Sequence, residues 1–122
     1  MKLDIRPHRK LDAWKRAMEM ARNIYSLTEN FPKEEIYGIT NQLRKSALSV
    51  PSNIAEGAAR KSRNEFLQFL NIAQGSLSEL DTQIELSYML NYILEDKYQE
   101  IIDEITIITK LISGLIRKIQ KQ

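Results

Sequence analysis

The stretch from Ser62 to Asn91, SRNEFLQFLNIAQGSLSELDTQIELSYMLN, decides the fold class. Ser62 and Glu65 have the spacing of a capping box, in which the serine hydroxyl accepts from the Glu65 N–H and the glutamate reaches back. Apolar residues then recur at helical spacing, namely Phe66, Phe69, Leu70, Ala73, Leu77, Leu80, Ile84 and Leu90. We therefore predict a long helix that ends near Asn91. Gly75 lies inside it, and a tolerated glycine often permits close helix–helix approach.

Helices are also predicted before and after this one. Residues 12–29 repeat apolar side chains with helical period, and Asp12 suits either the N-cap or the first turn. This helix stops before Phe31-Pro32, because proline disfavours helical backbone in the preceding residue. The last helix covers about residues 96–118.

The remaining helix starts after Pro32, continues to about Gly57 and contains Pro51. A proline ring clashes with the carbonyl four residues earlier and removes one hydrogen bond. The helix either kinks and continues, or breaks and restarts with Ser52 or Asn53 as a new N-cap. The apolar stripe keeps its phase across Pro51, which favours a kink. With no strand pattern, the chain is predicted to be an all-α, antiparallel up-down four-helix bundle, with helix 2 kinked at Pro51.

The domain organisation is simple. We expect residues 1–10 to be a basic flexible arm and residues 11–120 to be a single bundle domain. Apolar residues of the last helix spread over about 180° of its circumference, whereas a helix that covers only an intramolecular core needs about 100°. This surplus favours a homo-oligomer over a deeply buried helix in a monomer.

The sequence lacks the residues that several kinds of functional site require. There is no Cys, and His8 is the only His, so the carboxylates have no histidine with which to form a di-iron site. The glycines are isolated and form no phosphate-binding loop. We predict a protein that is not an enzyme and that uses no metal or cofactor. Because neither a secretory signal nor a membrane-spanning stretch is seen, a cytoplasmic location without membrane contact is expected.

Charge is segregated along the chain. Residues 1–63 carry 13 basic and 7 acidic side chains, residues 64–108 carry one and nine, and residues 109–122 carry four and none. An up-down bundle brings the arm, the helix 2–3 turn and the C-terminal tail to one pole. Basic side chains gathered there suit phosphate backbones, or they only solvate the bundle end. The candidate nucleic-acid-binding residues are Arg44, Lys45, Arg60, Lys61, Arg63, Arg117 and Lys118.

The most specific stretch is Ser49-Val50-Pro51-Ser52-Asn53-Ile54-Ala55-Glu56-Gly57. Together with Leu11–Met18, Ile24–Thr28, Phe31-Pro32, Tyr37-Gly38, Gln42–Ala47 and Phe69–Leu80, it resembles the four-helix-bundle proteins encoded in intervening sequences of bacterial 23S rRNA genes. The resemblance implies a pentameric ring. It also implies distant kinship with the accessory variability proteins of diversity-generating retroelements, which bind nucleic acid and a reverse transcriptase.

The resemblance assigns no catalytic set. The motif residues that it marks are Arg44, Lys45, Ser49, Pro51, Ser52, Asn53, Glu56 and Gly57, which it implies shape a kinked helix and a close subunit contact. Arg60 and Arg63 are proposed from charge alone.

Two functions follow from the sequence. The first is a non-enzymatic oligomeric bundle that binds RNA or DNA without sequence specificity through its basic pole. The alternative is a structural or adaptor protein that binds a protein partner and makes no direct contact with nucleic acid. Charge reversal at the pole separates the two. A metal or small-molecule bundle is a third, weaker reading that metal analysis would test.

Overall fold

The computed structural model describes residues 6–122 and contains four long helices. They are α1 (Asp12–Thr28), α2 (Ile39–Ala58), α3 (Arg63–Met89) and α4 (Glu95–Gln120). Two turns of 3-10 helix, Pro7–Lys10 and Lys33–Glu35, precede α1 and α2. There is no strand among the described residues. The prediction of an all-α four-helix bundle is therefore confirmed.

The described part of the N-terminal segment, from Arg6 to Lys10, precedes α1. Residues 1–5 of the predicted arm, which include Lys2, lie outside the described residues. Pro7–Lys10 packs against both α1 and α2. The His8 ring meets the Trp14 ring edge-on, with centroids 4.8 Å apart, and the Arg9 guanidinium lies 5.8 Å from the Trp14 centroid. The part of the arm nearest α1 thus rests on the bundle through an aromatic contact.

The second helix begins later than the sequence suggested. Lys33–Glu35 is a separate 3-10 turn, and Gly38 is the N-cap of α2 with a non-helical backbone. Glycine is a weak helix former, so it favours a boundary at this position. From Ile39 onwards α2 is continuous through Pro51, and neither Ser52 nor Asn53 starts a new helix. The bend at Pro51 stays a prediction.

Both ends of α3 agree with their sequence signals. The Ser62 hydroxyl accepts from the Glu65 backbone N–H at 3.3 Å, as the capping box predicts. At the C-terminal end Asn91 adopts a positive φ of 64°. The Tyr92 N–H donates to the Ser87 carbonyl and the Asn91 N–H to the Tyr88 carbonyl, at 2.9 and 3.0 Å. These two bonds form a Schellman motif, in which asparagine can take the left-handed position.

The helices surround one apolar core, and α2 and α3 contact each other in reverse sequence order. Ser49 pairs with Ser76, whereas Gly57 further along α2 lies against Phe66 earlier in α3. This is the order expected for antiparallel neighbours. The fully buried larger side chains come from all four helices, namely Met20, Ile24, Leu43, Val50, Ile54, Leu70, Leu77, Leu80, Ile84, Ile108 and Ile112.

The two helical glycines of α2 and α3 have different surroundings. A Cβ added at Gly57 would lie 2.8 Å from the Phe69 Cβ and 2.9 Å from the Phe66 Cδ1. At Gly75 the same atom would meet nothing within 4 Å. Close helix–helix approach within the described chain therefore occurs at Gly57, and the expectation for Gly75 is wrong within one subunit.

Candidate nucleic-acid interface

One end of the bundle gathers basic side chains from distant parts of the sequence. Arg60, Lys61 and Arg63 from the α2–α3 connection line a surface depression of about 280 Å³ together with Lys118 of α4. Lys118 also borders a second depression, which contains Leu11 at the start of α1. The start of α1, the α2–α3 connection and the end of α4 thus lie together. We call Arg60, Lys61, Arg63, Arg117 and Lys118 the basic pole.

Arg60 is held by neighbouring side chains. Its guanidinium lies 2.6 Å from the Glu56 carboxylate and 3.9 Å from that of Glu65, and its Cζ lies 5.0 Å from the Phe69 ring centroid. These contacts join the end of α2 to the start of α3. Arg60 therefore contributes to the structure of the connection, and its charge is largely balanced by the two glutamates.

The other residues of the basic pole are exposed, and they differ from Arg60 in their ion pairing. Among residues 6–122, no ion pair involves Lys61, Arg63, Arg117 or Lys118. Arg117 and Lys118 lie in the last turn of α4, where positive charge also interacts favourably with the helix dipole. Within the part of the chain that the structure describes, this end therefore carries four exposed cations without a carboxylate partner.

Arg44 and Lys45 are not part of this cluster. Arg44 Nε donates to the Thr28 hydroxyl at 2.9 Å, and its guanidinium stacks 4.9 Å from the Tyr25 ring centroid. Both partners lie near the end of α1, whereas the start of α1 is the part of that helix beside the basic pole. Arg44 thus fastens α2 to α1. Lys45 is exposed on α2.

The motif residues form a polar contact between α2 and α3. The Ser49 hydroxyl lies 2.7 Å from the Ser76 hydroxyl, and Asn53 Nδ2 donates to both the Ser49 carbonyl and its hydroxyl, at 2.8 and 2.9 Å. Pro51 is buried next to this network and Ser52 is exposed. The sequence motif included Ser49 and Asn53. It did not single out Ser76, which is one of the serines in the Phe69–Leu80 segment, as their partner.

Glu56 and Gly57 have separate roles in the same stretch. Glu56 accepts from Arg60, and Gly57 admits the Phe66 and Phe69 rings close to the α2 backbone. The motif therefore ends at the connection that carries Arg60, Lys61 and Arg63. The Gly57 contact holds the end of α2 against the first turns of α3, on either side of the connection that displays those cations.

The described part of the chain contains no group of three or more His, Cys, Asp or Glu residues that could hold a metal ion. Within the same residues, none of the four helices is both long and apolar enough to cross a membrane.

Comparison with known proteins agrees with the fold and with the motif. The sequence profile described as "23S rRNA-intervening sequence protein" matches residues 9–114. The chain belongs to this family. A search of curated proteins found no match.

A solved structure from Bacteroides thetaiotaomicron is similar to this family member. It is described as a protein with unknown function from the S23 ribosomal protein family. The two chains share 28% sequence identity with a TM-score of 0.80, and the match covers 86% of this chain and 95% of the other.

Proposed function

We propose that this protein is a non-enzymatic bundle that binds RNA or DNA through its basic pole, without sequence specificity. The observation that carries the proposal is the convergence of Lys61, Arg63 and Lys118 on one shallow depression, where none of them has a carboxylate partner among residues 6–122. Phosphate backbones are bound by Lys and Arg in this way, and the counterions released on binding make the affinity depend on salt.

The shape of the pole favours contact with the backbone over recognition of bases. The exposed groups are long, flexible cations, and the nearby rings of Phe66 and Phe69 pack partly buried against α2. Base recognition needs stacking rings or groups that reach base edges. The family description and the S23 description of the structural neighbour both refer to the ribosome or its RNA, so structured ribosomal RNA is the first probe.

Self-association would increase the affinity of the protein for nucleic acid, because it brings several basic poles together. Ile102, Leu111, Leu115 and Ile116 of α4 are only partly buried against the core. We propose that they contribute to contacts between subunits, and the resemblance suggests a pentamer. Several basic poles in one assembly would raise the affinity for a long nucleic acid by multivalency. Native mass spectrometry tests this step, and a monomer as the sole species would contradict it.

Charge reversal of the three cations tests direct binding. We expect the triple variant Lys61→Glu, Arg63→Glu, Lys118→Glu to lose the electrophoretic shift of structured RNA that the unaltered protein gives at about 50 mM salt. The matched control is Arg22→Glu, Lys33→Glu, Lys97→Glu, which has the same net charge but leaves the pole intact. Arg60 is left in place because it joins α2 to α3.

The salt dependence sharpens the test. Each phosphate contact that is removed should reduce the slope of log affinity against log salt by about 1. No shift for the unaltered protein at about 50 mM salt would contradict direct nucleic-acid binding. Equal losses in the triple variant and its control would show that net charge, and not the pole, is responsible. Either result would favour the adaptor function, in which a protein partner is bound instead.

A further inference from the structure

A second depression continues the basic pole along the bundle. It lies between the start of α1 and the last turns of α4 and has a volume of about 310 Å³. It shares Leu115 and Lys118 with the depression at the pole. We call it the α1–α4 depression. A ligand that is held at the basic pole can therefore extend into it without leaving the protein surface.

The floor of the α1–α4 depression is apolar and still accessible. It includes Leu11, which is the N-cap of α1, and Leu111 and Leu115 of α4. All three side chains are only partly buried against the core. Nucleic-acid-binding proteins hold unpaired bases against aromatic or apolar side chains, and this contact tolerates any sequence because every base has such a face. The floor therefore suits the face of an unpaired base.

Positive charge flanks this floor. Lys110 and Lys118 line the depression eight residues apart on α4, a rise of about 12 Å along the helix. Among residues 6–122, neither lysine forms an ion pair. The charged lining also includes Asp12, so the cations outnumber the carboxylate. Two lysines on either side of an apolar floor suit the two phosphates that flank one nucleotide.

Gly114 keeps the depression open. It lies midway between Lys110 and Lys118 inside α4, where glycine is a weak helix former. Outside the adjoining helix backbone, the nearest atom that an added Cβ would meet is the Arg117 Nη2, at an ordinary distance of 3.8 Å. Packing within the described chain therefore does not require a glycine here. Its missing side chain instead allows a ligand to approach the helix backbone closely.

We propose that the α1–α4 depression binds an unpaired nucleotide of a single-stranded RNA or DNA segment. The base lies on Leu11, Leu111 and Leu115, and the flanking phosphates pair with Lys110 and Lys118. This inference rests on the proposed nucleic-acid binding at the basic pole and names its substrate. A single strand, or a loop of a structured RNA, can turn a base towards the floor, whereas the bases of a duplex stay stacked.

Self-association through α4 is compatible with this site. Gln74 of α3 donates to the Thr109 carbonyl and to the Ser113 hydroxyl, which marks the side of α4 that faces α3. Ile102 and Ile116 lie seven residues before and after Thr109, or about two turns, and are therefore on that same side. The leucines of the floor are on the α1 side instead. Contacts between subunits through Ile102 and Ile116 would leave the depression open.

Three probes separate base binding from phosphate binding. They are an oligouridine of about 12 nucleotides, an abasic oligomer with the same number of phosphates, and a duplex of the same length. Binding to the full chain is measured by fluorescence anisotropy at about 50 mM salt. We expect the oligouridine to bind about tenfold more tightly than the abasic oligomer, because only the oligouridine can place a base on the floor.

A substitution that fills the depression locates the base. Gly114→Leu leaves every charge in place and should weaken oligouridine binding about tenfold, with the abasic oligomer and the duplex within about twofold of their original affinities. The matched control is Gly75→Leu on α3, where an added Cβ meets nothing within 4 Å. It should leave all three affinities within about twofold. Because leucine is a better helix former than glycine, neither variant should lower the thermal unfolding midpoint.

A second variant tests the phosphate contact that is farther from the pole. Lys110→Gln should reduce the slope of log affinity against log salt by about 0.7 for both single-stranded probes. The matched control is Lys97→Gln, which removes another lysine of α4. Lys97 pairs with Glu100 and does not line the depression, so its removal should leave the slope unchanged.

The outcomes distinguish this inference from the proposed function. If no probe binds, both fail. If the abasic oligomer binds as tightly as the oligouridine, or if Gly114→Leu binds the oligouridine normally, binding at the pole stands and the nucleotide site is overturned. Equal losses in Gly114→Leu and Gly75→Leu, or an unchanged salt slope in Lys110→Gln, would also overturn it. A change in oligomer mass in Gly114→Leu would do the same, because a second copy of the chain would then occupy the depression.

Discussion

The two ends of the bundle are built differently. At the basic pole, the α2–α3 connection has a serine N-cap, a close glycine contact and cations that point into solvent. At the opposite end, the α3–α4 connection has a Schellman motif and an uncapped leucine, and its Tyr92 donates to Glu35 of the α1–α2 connection. One end offers charge to a polyanion, and the other offers apolar surface with negative charge.

The difference follows from the order of charges in the sequence. Successive connections of an up-down bundle fall at alternate ends. The basic block that ends at Arg63 and the basic tail after residue 108 therefore meet, and much of the acidic block lies away from them. A net charge of only +2 therefore conceals a cluster of basic side chains at one end of the bundle.

The largest change in stability is expected from substitution of Gly57, which lies in the helix contact next to the basic pole. Gly57→Ala places a methyl group against Phe69 Cβ and Phe66. Overpacking of this kind costs about 1–3 kcal/mol, more than the gain of up to about 1 kcal/mol in helix propensity. We expect the midpoint of urea unfolding to fall.

Gly75→Ala is the matched control for that substitution. Nothing lies within 4 Å of the added Cβ, so only the propensity gain of about 1 kcal/mol remains. The two variants should shift the unfolding midpoint in opposite directions. Shifts of the same sign would show that the close approach at Gly57 does not limit the packing of α2 on α3.

The helix caps give an intermediate effect. Ser62→Ala removes an observed capping bond and should cost about 1 kcal/mol, whereas Leu94→Ser should add a cap worth about the same. Thermal unfolding of both variants measures the contrast. If Leu94→Ser destabilised the protein, the side chain of Leu94 would contribute to the fold despite its exposure.

The smallest effect concerns alkaline pH and the acidic end. Tyr98 donates to Glu85, and this hydrogen bond raises the pKa of Tyr98 from 10.0 to about 12. Its stabilising contribution is complete below pH about 10 and is lost as the pH rises to about 12, because the folded state retains the proton longer. The unfolding free energy of Tyr98→Phe should therefore fall less steeply over this interval. If the unfolding free energies of Tyr98→Phe and of the unaltered protein fell equally steeply with pH, the raised pKa of Tyr98 would be contradicted.

Much of the fold was predictable because its signals are local. The capping box places the start of α3, and hydrophobic periodicity distinguishes the four helices. The start of α2 was not predictable in this way, since the glutamates after Pro32 suit either an α-helix or the observed 3-10 turn. The open surroundings of Gly75 depend on how α3 packs, which no local pattern reports.

The candidate site was predictable in composition but not in detail. The charge pattern predicts basic side chains at one end of the bundle, and Arg60, Lys61, Arg63 and Lys118 line one depression there. It could not show that Arg60 is neutralised by Glu56 and Glu65, or that Arg44 is bonded to α1, because both depend on side-chain geometry between elements.

The most direct test of the central claim is a nuclear magnetic resonance titration with structured RNA at low salt. The two ends of the bundle can be observed in the same experiment. We predict amide chemical-shift changes at residues 60–64 and 115–121, with residues 90–97 unaffected. Shift changes centred on residues 90–97, or none at any RNA concentration, would contradict the assignment of nucleic-acid binding to the basic pole.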